Sequence, residues 1–158
     1  MNYILFLLQN MSYKVTFKTK WADFDPNNHL RHTAYNDYAA ESRVRFFNDN
    51  GLSLSEFHKQ NIGPVLFSEN TTFYREISLG EDITVEIFLK GLSENGERFK
   101  FQHKIFKQND ILATEIEIYA SWLDLKIRKL TTPPHQIVTT FSKLEKSNDF
   151  EIIPIKKK

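Results

Sequence analysis

The residues best suited to chemistry lie in one loop near the start of the chain. Asp23 and Asp25 stand two residues apart in a cluster of turn-forming residues, and His29 and His32 follow them. A carboxylate can act as a general base or as a nucleophile on a carbonyl carbon. The unpaired N–H groups at the start of a following helix can stabilise the resulting oxyanion. This arrangement suits acyl transfer to water.

Simpler interpretations of the same residues stay open. An Asp-x-Asp pair in a turn commonly accepts hydrogen bonds from nearby backbone N–H groups, and two histidines in a loop are commonly surface residues. No third ligand follows at a spacing typical of zinc, so no metal site is predicted. Residue types and local context alone therefore leave the function open.

The flanking patterns predict the elements that position this loop. Residues 14–21 alternate between an apolar-rich face and a lysine-rich face, as a half-buried strand does. Thr33 is a plausible helix N-cap, and the Asn-Gly pair at 50–51 is a typical helix stop. Between them, small and aromatic residues recur at steps of three and four, which predicts a helix of about 15 residues.

The rest of the chain favours strands. Residues 53–60 are predicted as a short helix, and Ser53 and Glu56 as its capping box. Four strands are predicted at residues 65–77, 83–89, 99–105 and 111–125. Residues 135–146 could form one more short helix. The order β-α-(α)-β-β-β-β is typical of an α+β fold with one long helix on an antiparallel sheet. An uncovered apolar part of the sheet predicts a dimer or higher oligomer.

Composition excludes several classes of protein. The chain has 158 residues, 41% hydrophobic and 26% charged, which favours one folded domain over disorder. Its 21 basic and 20 acidic residues give a net charge of +1, without the basic excess typical of nucleic-acid binding. The absence of cysteine excludes disulfides and a cysteine nucleophile. The sequence contains no apolar stretch of about 20 residues, so no membrane-spanning helix is predicted.

The predicted domain occupies residues 11–146. Residues 1–10 are interpreted as an N-terminal extension, which lacks the charged start and cleavage site of a signal peptide. Either Met11 is the natural start, or the segment is an extra strand or an exposed apolar tail. Residues 147–158 are predicted as a C-terminal tail. Without a signal peptide or cysteine, the protein is expected in the cytoplasm.

The spacing of the whole loop–helix stretch resembles that of the hotdog-fold thioesterases of the 4-hydroxybenzoyl-CoA thioesterase-like superfamily. Their signature is an acidic turn after a strand, a short loop, and a helix with a tyrosine and, eight residues on, an arginine. Asp23, Asp25, His29, Tyr35 and Arg43 stand at matching places. Weaker similarities follow at residues 62–65, 79–82 and 122–124. The resemblance covers most of the chain.

The resemblance implies a hotdog fold, in which a curved antiparallel sheet wraps around one long helix in the order β-α-β-β-β-β. It implies hydrolysis of acyl-CoA to a free acid and coenzyme A by a homodimer or homotetramer. No nucleic-acid or membrane partner is expected, as the composition already indicates. The family's catalytic carboxylate falls on Asp25, and the oxyanion donor on a backbone N–H near His32. No cofactor is implied, because coenzyme A is part of the substrate.

The resemblance also implies where the substrate binds. The acyl pocket would lie between the helix of one subunit and the second strand of its neighbour, with Glu41 as an alternative catalytic carboxylate. The candidate acyl-binding residues are His29, Tyr35, Glu41, Leu66, Phe67 and Thr72. The candidate cations for the phosphates of coenzyme A, among which spacing does not choose, are Arg75, Lys90, Lys126, Arg128 and Lys129.

The chain departs from the family pattern in the candidate loop. Asn28 stands where many members have glycine, and Arg31 and His32 stand where many have two asparagines. Asparagine tolerates the left-handed backbone region, so the loop geometry is expected to be kept. Two alternatives to an acyl-CoA thioesterase stay open: a thioesterase for acyl carrier protein, and a non-catalytic acyl-binding module.

Overall fold

A computed structural model describes residues 12–156, so the predicted N-terminal extension and Met11 lie outside the described residues. The elements are β1 (Tyr13–Phe17), α1 (His32–Asp49), α2 (Leu54–Lys59), β2 (Ile62–Phe73), β3 (Ile83–Leu92), β4 (Arg98–Lys107), β5 (Ile111–Asp124), β6 (Lys129–Thr131), α3 (His135–Phe141) and β7 (Lys146–Ile152). No helix within residues 12–156 is long and apolar enough to cross a bilayer.

The seven strands form one sheet that packs against α1. The main path of the sheet is β1-β3-β4-β5-β2, with antiparallel neighbours, and β6 pairs with the end of β5. β1 and β7 share one edge of β3. β1 pairs with the first half of β3, and β7 pairs parallel with its last residues. The helix α1 contacts β1, β3 and β5. This is the hotdog fold that the sequence predicts.

Small residues let α1 approach the sheet closely. Ala34, Ala39 and Ser42 are fully buried along one side of the helix. Toward the C-terminal end of α1, Phe47 packs on Phe141, with ring centroids 6.0 Å apart, in a cluster of buried aromatic rings. Apolar packing therefore fixes the C-terminal half of α1.

Two boundaries beside the candidate loop differ from the predictions. β1 ends at Phe17 rather than at Trp21. The helix α1 begins at His32, with Arg31 in the N-cap position. Thr33 is therefore the second helical residue and not the N-cap, and its hydroxyl accepts a hydrogen bond from the Arg31 guanidinium at 2.8 Å.

The C-terminal region differs more. The helix α3 ends at Phe141, and the first half of the predicted tail belongs to β7. Ion pairs hold this strand to the sheet: Lys90 contacts Asp149, and Lys100 contacts Glu151. Because β7 is short, polar and paired with a strand far away in sequence, local periodicity does not reveal it.

Candidate active site

Asp25 lies in a loop that fixes one of its carboxylate oxygens. Its Oδ1 accepts hydrogen bonds from the backbone N–H groups of Asn27 at 2.8 Å and His29 at 3.1 Å. Asn28 between them is in the left-handed region with φ 62°, as the sequence predicts. Within residues 12–156, Oδ2 of Asp25 has no hydrogen-bond partner. The loop therefore orients the carboxylate and leaves one oxygen available.

The carboxylate of Asp23 has different hydrogen-bond partners from that of Asp25. Its Oδ2 accepts hydrogen bonds from the Lys20 backbone N–H at 3.0 Å and from the Tyr38 hydroxyl. Its backbone carbonyl accepts one from the Arg31 N–H at 2.8 Å. Burial, together with the hydrogen bond to Asp23, raises the pKa of the Tyr38 phenol. Asp23 thus ties the loop to α1.

The loop faces the segment that follows β2. The two pair through a bridge between His29 and Ser78 and through a 2.9 Å hydrogen bond from the Leu30 N–H to the Ile77 carbonyl. They enclose a cleft of about 400 Å³. Its lining consists of Asp25, His29, Leu30, His32, Tyr35, Phe73, Tyr74, Arg75 and Glu76. The cleft therefore combines two carboxylates, one arginine, two histidines and an aromatic wall.

Glu76 orients the imidazole of His29 in this cleft. Its Oε2 lies 2.9 Å from Nε2 of His29, and both side chains are partly exposed. The sequence analysis did not identify Glu76, because the pairing of two segments far apart in sequence creates this contact. No local motif marks Glu76.

The start of α1 is the second chemical feature of the cleft. His32 is the first helical residue and lines the cleft. Within the described part of the chain, its backbone N–H has no acceptor. The first N–H groups of a helix carry partial positive charge, so this end of α1 can stabilise an anion.

Tyr35, one turn further along α1, forms an inner wall of the cleft. It is buried, and its ring meets the ring of Phe73 edge-on at a centroid distance of 5.2 Å. Burial raises the pKa of the Tyr35 phenol above its ordinary value, so its hydroxyl stays protonated at neutral pH. Tyr35 and Phe73 provide a surface for an apolar group.

Four of the predicted acyl-binding residues do not line the cleft of their own chain. Glu41 is exposed and pairs with Arg45. Leu66 lines a separate groove. Phe67 packs on Tyr119, with ring centroids 5.4 Å apart, and Thr72 is exposed.

Four of the five predicted phosphate-binding cations also lie elsewhere. Lys126, Arg128 and Lys129 follow the end of β5, ten residues from Thr114, which pairs with Phe73 beside the cleft. At about 3.3 Å per residue, the end of β5 lies up to roughly 33 Å along the strand from Thr114. Lys90 contacts Glu117 and Asp149 instead. Arg75 alone of the five lines the cleft.

Comparison with known proteins gives a family match and a shared fold. The family model described as the thioesterase-like superfamily matches residues 19–141. No curated protein matches the chain significantly.

Several solved structures share the fold. One is a hypothetical protein from Staphylococcus aureus in complex with CoA, with 22% identity, coverage of 92% of this chain and 90% of that chain, and a TM-score of 0.78. A DHNA-CoA thioesterase from Staphylococcus aureus has 18% identity, coverage of 84% and 90%, and a TM-score of 0.76. A 1,4-dihydroxy-2-naphthoyl-CoA thioesterase from Synechocystis has 15% identity, coverage of 83% and 96%, and a TM-score of 0.74.

Proposed function

The chain belongs to the thioesterase-like superfamily, and we propose that it hydrolyses acyl-CoA thioesters to a free acid and coenzyme A. The observation that carries this proposal is the hydrogen bonding of the Asp25 carboxylate. Two backbone N–H groups hold one carboxylate oxygen, while the other has no partner within residues 12–156, in a cleft that begins at the positive end of α1. A carboxylate so placed suits attack on a carbonyl carbon.

Asp25 acts in one of two ways. As a general base, it takes a proton from water, whose oxygen bonds to the thioester carbon while the carbon–sulfur bond breaks. As a nucleophile, its Oδ2 bonds to that carbon and forms a mixed anhydride, which water then cleaves. In both routes the sulfur leaves as the thiolate of coenzyme A, which needs little acid assistance.

The oxyanion forms beside the start of α1. The unpartnered backbone N–H of His32 and the positive helix end favour negative charge on the carbonyl oxygen. His29, held by Glu76, borders the same space. The helix start and Asp25 thus perform separate tasks on one carbonyl group.

The walls of the cleft suggest how the substrate binds. Tyr35, Phe73 and Tyr74 offer an aromatic surface for the acyl group. Arg75 is the predicted cation available to a phosphate of coenzyme A. The similar structures include a CoA complex and an enzyme for an aromatic acyl-CoA, which supports this substrate class.

The test is a panel of acyl-CoA thioesters, from acetyl to palmitoyl and including benzoyl and phenylacetyl, with the released thiol measured by a colorimetric reagent. We expect turnover of at least one ester, and its loss in Asp25→Asn. Turnover that survives in Asp25→Asn would overturn the assignment of Asp25. Hydrolysis of acyl carrier protein thioesters alone would replace coenzyme A with the carrier as the substrate.

A further inference from the structure

A lysine that does not line the cleft contacts the segment that forms one of its walls. Lys107 is the last residue of β4, and its side chain is only 18% exposed. Its ammonium donates a hydrogen bond to the backbone carbonyl of Glu76 at 2.8 Å. Its Nζ also lies 3.2 Å from Oε2 of Glu81. One cation therefore contacts two points of the segment between β2 and β3.

Glu81 makes these contacts a crosslink within the segment. Its Oε2 accepts a hydrogen bond from the backbone N–H of Ser78 at 2.7 Å, and its backbone carbonyl accepts one from the Thr19 hydroxyl at 2.8 Å. The Glu81 side chain is 15% exposed, and in the described part of the chain Lys107 is the one cation within ion-pair distance of it. Because a carboxylate largely removed from water requires a partner, we expect this pair to persist in solution.

The crosslinked segment carries two residues of the cleft. Arg75 and Glu76 line the cleft, and Oε2 of Glu76 lies 2.9 Å from Nε2 of His29. The side chain of Glu76 therefore contacts His29, while its backbone carbonyl contacts Lys107. A peptide group that is held at its oxygen restricts the side chain it carries, which favours a single orientation toward His29.

The carbonyl of Glu76 depends on Lys107 more than its neighbours do. The N–H groups of the two preceding residues donate to the Ala113 carbonyl of β5, and the carbonyl of Ile77 accepts a hydrogen bond from the opposite loop. Within residues 12–156, Lys107 is the one hydrogen-bond donor to the Glu76 carbonyl. Removal of the ammonium therefore frees this peptide group at the point where the wall meets His29.

We propose that Lys107 is a positioning residue, which keeps Glu76 directed at His29 and fixes the wall of the cleft that faces the loop of Asp25. Its consequence for turnover rests on the proposed function, whereas its effect on the contact between His29 and Glu76 does not. The two backbone N–H groups that orient Asp25 belong to its own loop, so they remain when Lys107 is removed. Loss of Lys107 should therefore weaken substrate binding more than it slows the chemical step.

NMR of the His29 ring tests the positioning without any substrate. Glu76→Ala supplies the ring signals of His29 without its partner. Lys107→Met should move the His29 signals toward those of Glu76→Ala, because methionine donates no hydrogen bond. Lys107→Arg should keep them near the wild-type positions, since a guanidinium can donate to both a carbonyl and a carboxylate. Lys104→Met is the matched control, because Lys104 lies on the same strand with its Nζ 5.0 Å from the centre of the Phe88 ring.

A double variant separates positioning from stability. Lys107→Met leaves the carboxylate of Glu81 without a cation and should lower the unfolding free energy. Lys107→Met/Glu81→Gln removes that charge and keeps an acceptor for the Ser78 N–H, so stability should largely return while the carbonyl of Glu76 stays unpaired. The His29 signals should therefore remain displaced in the double variant. Their return to the wild-type positions would overturn the proposal.

Kinetics on an acyl-CoA that the wild-type protein hydrolyses give the second readout. Lys107→Met should raise KM about three- to tenfold, as loss of one hydrogen bond in a binding wall does, and change kcat less than about twofold. The proposal fails if Lys107→Met leaves the His29 signals unchanged, if Lys104→Met displaces them equally, or if kcat falls while KM stays constant. A wild-type protein that hydrolyses no ester would overturn the proposed function alone, because the NMR comparison still decides the role of Lys107.

Discussion

The two ends of α1 carry opposite kinds of site. At the N-terminal end, backbone hydrogen bonds place the polar side chains of the cleft, and Asp25 and His29 remain partly exposed. At the C-terminal end, aromatic packing helps form an apolar groove between α1, α2 and β2, and the Arg43 side chain that lines it is half-buried. Polar groups near water can be changed at little cost in stability, whereas buried ones cannot. Changes in the cleft should therefore affect turnover, and changes beneath the groove should affect stability.

The largest expected effect separates the two aspartates. Asp25→Asn should lower turnover at least about 100-fold, because it removes the positioned carboxylate. Its unfolding free energy should change little, since the amide oxygen still accepts the two backbone hydrogen bonds. Steady-state thiol release and urea unfolding measure the two effects.

Asp23→Asn is the matched control, and we expect it to affect stability more than turnover. It weakens the hydrogen bonds from Lys20 and Tyr38 to a charged acceptor, which should lower the unfolding free energy by about 1–3 kcal/mol. Its effect on turnover should be smaller than that of Asp25→Asn. Equal losses of turnover in the two variants would show that the aspartates act as a unit.

A smaller effect, on the unfolding free energy as the pH falls, should come from the buried residue His103 of β4. His103 has a pKa of about 3 when folded and about 6.5 when unfolded, so between these values only the unfolded state binds the proton. The unfolding free energy should therefore fall with decreasing pH below about 6.5, with a contribution from His103 of about 1 kcal/mol per pH unit. Urea unfolding at pH 7, 6 and 5 measures this slope.

His103→Gln should flatten this slope, because its amide does not titrate. His58→Gln is the control, since His58 is exposed on α2. A wild-type slope that His103→Gln leaves unchanged would show that other groups cause it.

The smallest expected effect concerns the His29–Glu76 pair in the cleft. Both side chains are partly exposed, so Glu76→Gln should change the unfolding free energy by less than about 1 kcal/mol. Turnover should fall less than in Asp25→Asn, because His29 loses orientation but the carboxylate remains. A large loss of stability in Glu76→Gln would contradict the contrast between the two ends of α1.

Most of the fold and the central part of the cleft could be predicted because their signals are local. Strand alternation and helix periodicity are read over a few residues, and Asp25, His29, His32 and Tyr35 lie within 11 residues of one another. The strand β7 and Glu76 were not predicted, because pairing between distant segments places them.

The position of the candidate cations relative to the cleft could not be predicted, for a related reason. Residue type shows that Lys126, Arg128 and Lys129 are exposed, but only strand register shows at which end of β5 they lie. The faces of β2 also depend on an irregularity in its pairing between Leu66 and Ser68. Such a shift reassigns neighbouring side chains to opposite faces, and the sequence gives no sign of it.

The most direct test of the role of Asp25 is a crystal structure of Asp25→Asn with an intact acyl-CoA that the wild-type protein hydrolyses. The thioester carbon should lie within about 4 Å of the side chain at position 25, with its carbonyl oxygen toward the backbone N–H of His32. A thioester carbon placed instead against Glu41 or Glu76, away from position 25, would contradict the assignment of Asp25 as the catalytic carboxylate.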